Sequence, residues 1–306
     1  MRFRHLFAAI GLTATVFLPQ SAIGEGKPSP FIIGGTDASA AEGAFVALLS
    51  NGCSGALVAP TWVLTAAHCL MDTSGVSEWT PSARVWFWSD GYVSIPARRF
   101  IPHPDYIYGD PWHDIGLVEL TAPSTITPVP LLGSRHDELA WPGKNGRFFG
   151  WGSTSPFDKT NPAEVGTFPQ RPQVTDVRIG WDYPRFMAFL DEQVTTGSSG
   201  CYGDSGGPLV VSTLDGGRAV AGVFTYVELR CPTGPTMING FNKVVSYLPW
   251  IESTIGWNHS TDGTEAQGLR FIDPIRVYDS RVAKGELGPA GDVVLDAAEG
   301  RFHVQG

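Results

Sequence analysis

Cys201-Tyr202-Gly203-Asp204-Ser205-Gly206-Gly207-Pro208-Leu209 holds a serine between glycines, with an acid before it and a proline shortly after. A serine hydroxyl is a poor nucleophile at neutral pH, so a reactive one needs a base to take its proton. It also needs backbone N–H groups aimed at the oxyanion that forms when it attacks a carbonyl. Glycines let the backbone turn sharply enough to aim two such donors at one point. Taken alone, the stretch also fits a Gly-rich turn with an incidental serine.

Two other stretches supply the missing groups. Thr65-Ala66-Ala67-His68-Cys69 offers a histidine among small residues, and Asp114-Ile115-Gly116-Leu117-Val118-Glu119-Leu120 offers an acid at the head of an apolar run. Ile32-Ile33-Gly34-Gly35 completes a set of four motifs. In these motifs and in the order His, Asp, Ser, the chain resembles the trypsin/chymotrypsin family of serine proteases over residues 32–256. Within that family it resembles secreted bacterial members.

The resemblance implies an all-β fold of two antiparallel six-stranded β-barrels, a C-terminal helix, and the active residues in the cleft between the barrels. It implies Ser205 as nucleophile, His68 as general base then acid, and Asp114 as the group that orients the imidazole. Gly203 and Ser205 would supply the oxyanion hole through their N–H groups. In the family, a cut before the residue matching Ile32 frees an α-ammonium that inserts beside the acid matching Asp204. The residue before that cut is Phe31, so an activator of the zymogen would not be trypsin-like.

Composition agrees with such a fold. The 306 residues include 37 glycines and 24 prolines and only 17% charged residues, which suits a loop-rich β protein with room for a sizeable core. A net charge of −9 without a basic stripe argues against nucleic acid as a partner. The basic start Met1-Arg2-Phe3-Arg4-His5, the apolar run Leu6 to Leu18 and the small residues at Ala22 to Gly24 read as a signal peptide over residues 1–24. Residues 25–31 read as a propeptide. The apolar run is too short for an ordinary membrane span, so the expected location is secreted and extracellular, without stable membrane insertion.

Four cysteines in a secreted chain suggest two disulfides, and three pairings are open. The resemblance implies Cys53 with Cys69 and Cys201 with Cys231.

Along the chain, short apolar runs separated by turn residues recur at Phe45–Leu49, Gly55–Leu64, Arg84–Trp88 and Tyr92–Ile95, with Ser89-Asp90-Gly91 as a hairpin signal. Pro123–Pro130 reads as the connector between two halves. Arg147–Gly152, Val220–Val227 and Phe241–Val245 read as strands of the second half. Leu248, Ile251 and Ile255 stand at helical spacing, with Pro249 in the first turn. Residues 153–200 fit least well, and Asn161–Pro172 reads as a polar loop. His103, His113 and His136 show no compact ligand spacing and read as surface or loop residues.

The substrate pocket is expected at Ser199, Thr225, Tyr226 and Val227. In the family the position matching Ser199 lies at the pocket floor, where an acid selects Arg or Lys, so the resemblance implies a preference for apolar side chains before the cut. Val227 should narrow the entrance, and Asn239 falls at a further wall position. Residues 257–306 run past the normal end of the family and resemble, around Pro274-Ile275-Arg276-Val277-Tyr278-Asp279-Ser280-Arg281, the start of accessory β-domains in some secreted bacterial proteins. A β-rich tail, truncated as a domain, and a featureless tail both fit.

The function expected is a secreted serine endopeptidase made as a zymogen. A catalytically silent homologue acting as a secreted binding or adhesion protein, and a serine esterase, are the rival readings. Protein or peptide substrates are the expected partners, with an activating protease or a proteinaceous inhibitor beside them, and a monomer is expected. No cofactor or metal is implied.

Overall fold

The computed structural model describes residues 32–155, 161, 163–183, 186–190, 199–227, 238–256, 292–296 and 301–305. Six strands form a first closed barrel. They are β2 (Val46–Leu49), β3 (Ser54–Ala59), β4 (Trp62–Thr65), β5 (Arg84–Trp88), β6 (Tyr92–Pro102) and β7 (Gly116–Leu120), in the order β2-β3-β4-β7-β6-β5. All pairings are antiparallel.

Local sequence explains these strands. The apolar run 55–64 is broken at Pro60-Thr61, whose turn separates β3 from β4, and both strands are buried throughout. In β5 the side chains alternate between buried and half-buried, as a strand with one face on the core requires. Ser89-Asp90-Gly91 turns β5 into β6, with Asp90 at φ 53°. β6 runs well beyond the expected Tyr92–Ile95. It carries Pro96 beside a register slip between Ala97 and Arg99, and Pro102 as its last residue, both places where a missing ladder donor is tolerated.

The second half contains β1 (Thr36–Asp37), β8 (Asn145–Gly150), β9 (Gln173–Tyr183), β10 (Phe186–Leu190), β11 (Pro208–Ser212), β12 (Arg218–Val227) and β13 (Ile238–Lys243). Their order is β1-β9-β10-β13-β12-β11-β8, and β8 also pairs with β9, so six of the strands return on themselves and β1 adds to the rim. β9 and β10 lie in the poorly fitting stretch 153–200. In β9 Val177 and Ile179 are buried and Arg178 between them is exposed, as a strand with one face on the core requires. The expected strand Phe241–Val245 instead ends at Lys243 and passes into a 3-10 helix, Val244–Tyr247.

Helix α1 (Ala40–Gly43) is a single turn, and α2 (Leu248–Ile255) closes the second half. Pro249 sits in the first turn of α2, where its missing N–H costs nothing, and Gly256 ends the helix at φ 77°. A hairpin of β14 (Asp292–Asp296) and β15 (Arg301–Gln305) lies in the tail. The signal and propeptide, residues 1–31, lie outside the described residues. Among the described residues, no helix is long and apolar enough to cross a membrane.

The two halves share one core. Phe45, Leu57, Val63 and Leu64 of the first pack in the same cluster as Phe149, Trp151, Val210 and Val220 of the second. Phe45 meets Phe149 edge-on at 5.5 Å. Burying such a ring stabilises by about 1.5–3 kcal/mol, so the halves are held at a fixed separation. A second cluster around Phe148, Phe224 and Phe241 fills the second half and includes Ile32.

Candidate active site

His68 lies in the short 3-10 helix Ala67–Cys69 directly after β4, and Asp114 immediately precedes β7. β4 and β7 are neighbours in register, with Thr65 opposite Gly116. That pairing brings the two stretches together although 46 positions separate them. Asp114 is 2% exposed, and its carboxylate collects three donors. Oδ1 accepts the backbone N–H of His68 at 2.8 Å. Oδ2 accepts the Nδ1–H of His68 at 2.6 Å and the hydroxyl of Thr225. A carboxylate oxygen only accepts, so Nδ1 holds the ring proton and Nε2 keeps its lone pair.

Thr225 lines the cleft with His68 and Tyr226. Its hydroxyl also reaches across from the second half to Asp114. The bridge His68–Asp114–Thr225 therefore joins the two barrels through one buried carboxylate.

The Ser205 loop is tied to the histidine side by its backbone. The Ser205 carbonyl accepts the N–H of Ser54 at 2.8 Å and lies 3.7 Å from Cys69 Sγ. Gly206 packs so closely on β4 that a Cβ there would run into Thr65 Oγ1 and Ser54 O, and its φ of 82° disfavours a side chain as well. Cys53 and Cys69 form the expected disulfide, with a sequence separation of 16. Among the described residues, no hydrogen bond joins Ser205 Oγ to His68. In ligand-free sites of this kind such bonds are commonly long and tighten on substrate.

The backbone of the loop has a distinctive pattern. Asp204 N–H donates to Cys201 O, Gly206 N–H to Phe224 O and Gly207 N–H to Asp204 O. Among the described residues, the N–H groups of Gly203 and Ser205 have no acceptor. Gly203 stands at φ 97°, a conformation that a side chain would oppose. Two open donors flank one that is taken, which is the arrangement an oxyanion requires.

Asp204 is fully buried. Oδ1 accepts Gly152 N–H at 2.8 Å and Oδ2 accepts Cys201 N–H at 2.9 Å. Burial pushes its carboxyl up to about 7, against the two N–H bonds that favour the charged form. No cation pairs with it among the described residues. Ile32 is buried in the core of the second half at φ 55°, which a β-branched residue within an intact chain rarely adopts. Next to it, Ile33 O accepts Ser199 N–H at 2.8 Å.

Ser199 is 1% exposed, and its hydroxyl donates to Gly200 O at 2.9 Å and to Asn239 Oδ1 at 3.3 Å. Asn239 Oδ1 also accepts Gly200 N–H at 2.9 Å. Both polar side chains at this spot are therefore neutral and engaged with each other. Tyr226 lines the cleft beside His68. Cys201 is disulfide-bonded. The side chain of Val227, and Cys231, lie outside the described residues.

Two residues escaped the sequence reading. Ser54 is buried, donates to Gly203 O at 2.7 Å and accepts Trp151 N–H at 2.9 Å, so one hydroxyl ties the nucleophile loop to both barrels. Its place directly after Cys53 gave no signal for this. His103 was read as a surface or loop residue, yet it is buried. The chain from 103 to 113 loops back, so His103 stacks on His113 at 5.0 Å between Tyr247 and Trp250. Ligand atoms of His103, Asp105 and His113 lie within 4.8 Å of one another. The two rings stack rather than converge on a point, which is the geometry of aromatic packing.

His68, Asp114, Thr225 and Tyr226 open onto a cleft of about 460 Å³. A family model described as Trypsin matches residues 32–251. Kallikrein-2 of Homo sapiens is 32% identical over 232 residues, covering 70% of this chain and 85% of its own length. Granzyme C of Mus musculus is 32% identical over 213 residues, covering 66% and 79%. The snake venom serine protease ussurase of Gloydius ussuriensis is 30% identical over 251 residues, covering 76% and 99%.

Proposed function

The chain belongs to the trypsin family and is a serine endopeptidase acting on protein or peptide substrates, and on that premise we propose that Ser205, His68 and Asp114 carry the reaction. The observation that carries this assignment is the 2.6 Å bond from His68 Nδ1–H to buried Asp114, which leaves Nε2 as the base. Ser205 Oγ attacks the carbonyl carbon while its proton passes to His68 Nε2. The N–H groups of Gly203 and Ser205 hold the resulting oxyanion; losing one such donor typically costs about 100- to 1000-fold in rate. The C–N bond then breaks as His68 protonates the leaving amine. Water, deprotonated by the same nitrogen, releases the acyl group from Ser205.

We further propose that the protein is secreted, with residues 1–24 as signal peptide, 25–31 as propeptide and 32–256 as the protease domain, and is made as a zymogen. The strained φ of Ile32 would be released by a cut before it, and buried Asp204 accepts the new ammonium. The neutral pair Ser199 and Asn239 favours apolar over Arg or Lys side chains immediately before the cut. Assignment to secreted bacterial members rests on the leader-like start and the Pro274–Arg281 segment of the tail; the relatives named above are animal proteins and do not bear on it. Residues 257–306 are a C-terminal extension that we read as a truncated accessory β-domain.

Fluorophosphonate labelling read by peptide mass spectrometry tests both parts. Label is expected on Ser205, at least 100-fold faster in the form beginning at Ile32 than in the intact chain, and absent in Ser205→Ala. Equal rates in both forms remove the zymogen switch. No label on either folded form removes the catalytic assignment.

A further inference from the structure

The cleft beside His68 has a wall that the chemistry above does not use. The loop between β6 and β7 lays Tyr106, Tyr108, Asp110 and Pro111 along it, and Tyr226 stands on the same cleft from β12. Tyr106 is buried, and its hydroxyl accepts Gly109 N–H at 3.3 Å, so this ring is fixed beneath the loop. Tyr108 and Tyr226 stay 45% and 37% exposed, a large aromatic surface to leave beside a reactive centre. Asp110 is half-buried, and its Oδ1 accepts Trp112 N–H at 2.9 Å. No lysine or arginine lines the cleft, and no ion pair engages Asp110 among the described residues.

A carboxylate set among aromatic faces attracts a cation twice, through the ion pair and through the ring quadrupoles. It repels an anionic side chain. An extended peptide alternates its side chains between opposite sides. When the residue immediately before the cut enters the pocket at Ser199, the residue before that one faces the other way, toward this wall.

We infer that Asp110, with Tyr108 and Tyr226, selects arginine or lysine at the second residue before the cut. The inference rests on the protease reading above. It separates two kinds of recognition in one cleft. The neutral base at Ser199 and Asn239 takes an apolar side chain, and the anionic aromatic wall takes a cation one place upstream.

The test uses the protein as secreted, with its active sites counted by fluorophosphonate titration. kcat/KM per titrated site is measured on peptides identical except for arginine, norleucine or glutamate at the second residue before the cut. Arginine is expected to exceed norleucine about tenfold, the combined effect of a cation–π contact and a partly screened ion pair, and glutamate to fall below both. Asp110→Asn keeps the acceptor for Trp112 N–H and removes the charge, so the arginine-to-norleucine ratio should fall toward one. Asp110→Lys should raise glutamate above arginine. Equal rates for arginine and norleucine in titratable protein overturn the inference, as does an arginine preference that survives in Asp110→Asn. Absence of any titratable serine overturns the protease reading instead, and titration tells the two failures apart.

Discussion

Asp114 and Asp204 are both buried acids, and they sit in opposite states of completion. Asp114 receives three donors, from His68 N–H, His68 Nδ1–H and Thr225. It draws them from both barrels, so folding alone finishes the site. Among the described residues Asp204 receives two backbone N–H groups and no other donor, and burial holds its carboxyl near 7. A buried carboxylate without a cation is costly. The contrast sets a carboxylate completed by topology against one held by backbone donors alone, which on the zymogen proposal above a covalent cut would supply with a charge.

The sharpest way to break the comparison is at Asp114. Asp114→Asn keeps the shape but presents an amide donor to Nδ1, which favours the wrong tautomer. A loss of about 10⁴-fold in kcat is expected, as in triads of this kind, with Ser205 still present in a folded protein by circular dichroism. A loss below tenfold would show that the bond is structural only.

Asp204 answers to pH rather than to tautomer. Its folded value of about 7 lies above its ordinary 3.8, so between these values the folded intact chain keeps a proton that the unfolded chain releases. Stability from this group is fully present below pH 3.8 and is lost as pH rises through 7, by up to a few kcal/mol. Urea unfolding of the intact chain should show this decline, and Asp204→Asn should flatten it. The form beginning at Ile32 should flatten it too, because an adjacent ammonium favours the carboxylate. A decline that persists in Asp204→Asn would assign it to other groups.

The smallest expected effect tests the link between barrels. Thr225→Val removes one donor from Asp114 and leaves the other two. Hydrogen bonds to charged groups contribute about 1.5–3 kcal/mol, so kcat should fall by about 10- to 150-fold. Thr225→Ser should restore it, since only the hydroxyl is required.

The motifs around His68, Asp114 and Ser205 were legible because they are local: glycines stand beside Ser205, and His68 and Asp114 stand at strand ends that apolar runs mark. The strands β9 and β10 were not legible, since residues 153–200 lack the motifs that anchored the rest. Ser54 and His103 escaped for a different reason. Their roles come from partners 149 and ten positions away, Gly203 and His113 respectively, and nothing at a single position encodes such a meeting.

By itself the sequence determined the family and the β-rich architecture, because side-chain chemistry, glycine placement and strand alternation are local properties. Only the tertiary structure decided that Thr225, on the cleft, also bonds Asp114. Only it showed that Ser199 lies against Asn239, that the N–H groups of Gly203 and Ser205 are open among the described residues, and that Asp110 shares a cleft with three tyrosines. Each of these is a question of distance between segments. Distance is set when two barrels close and pack on one core, and no single stretch of chain carries it.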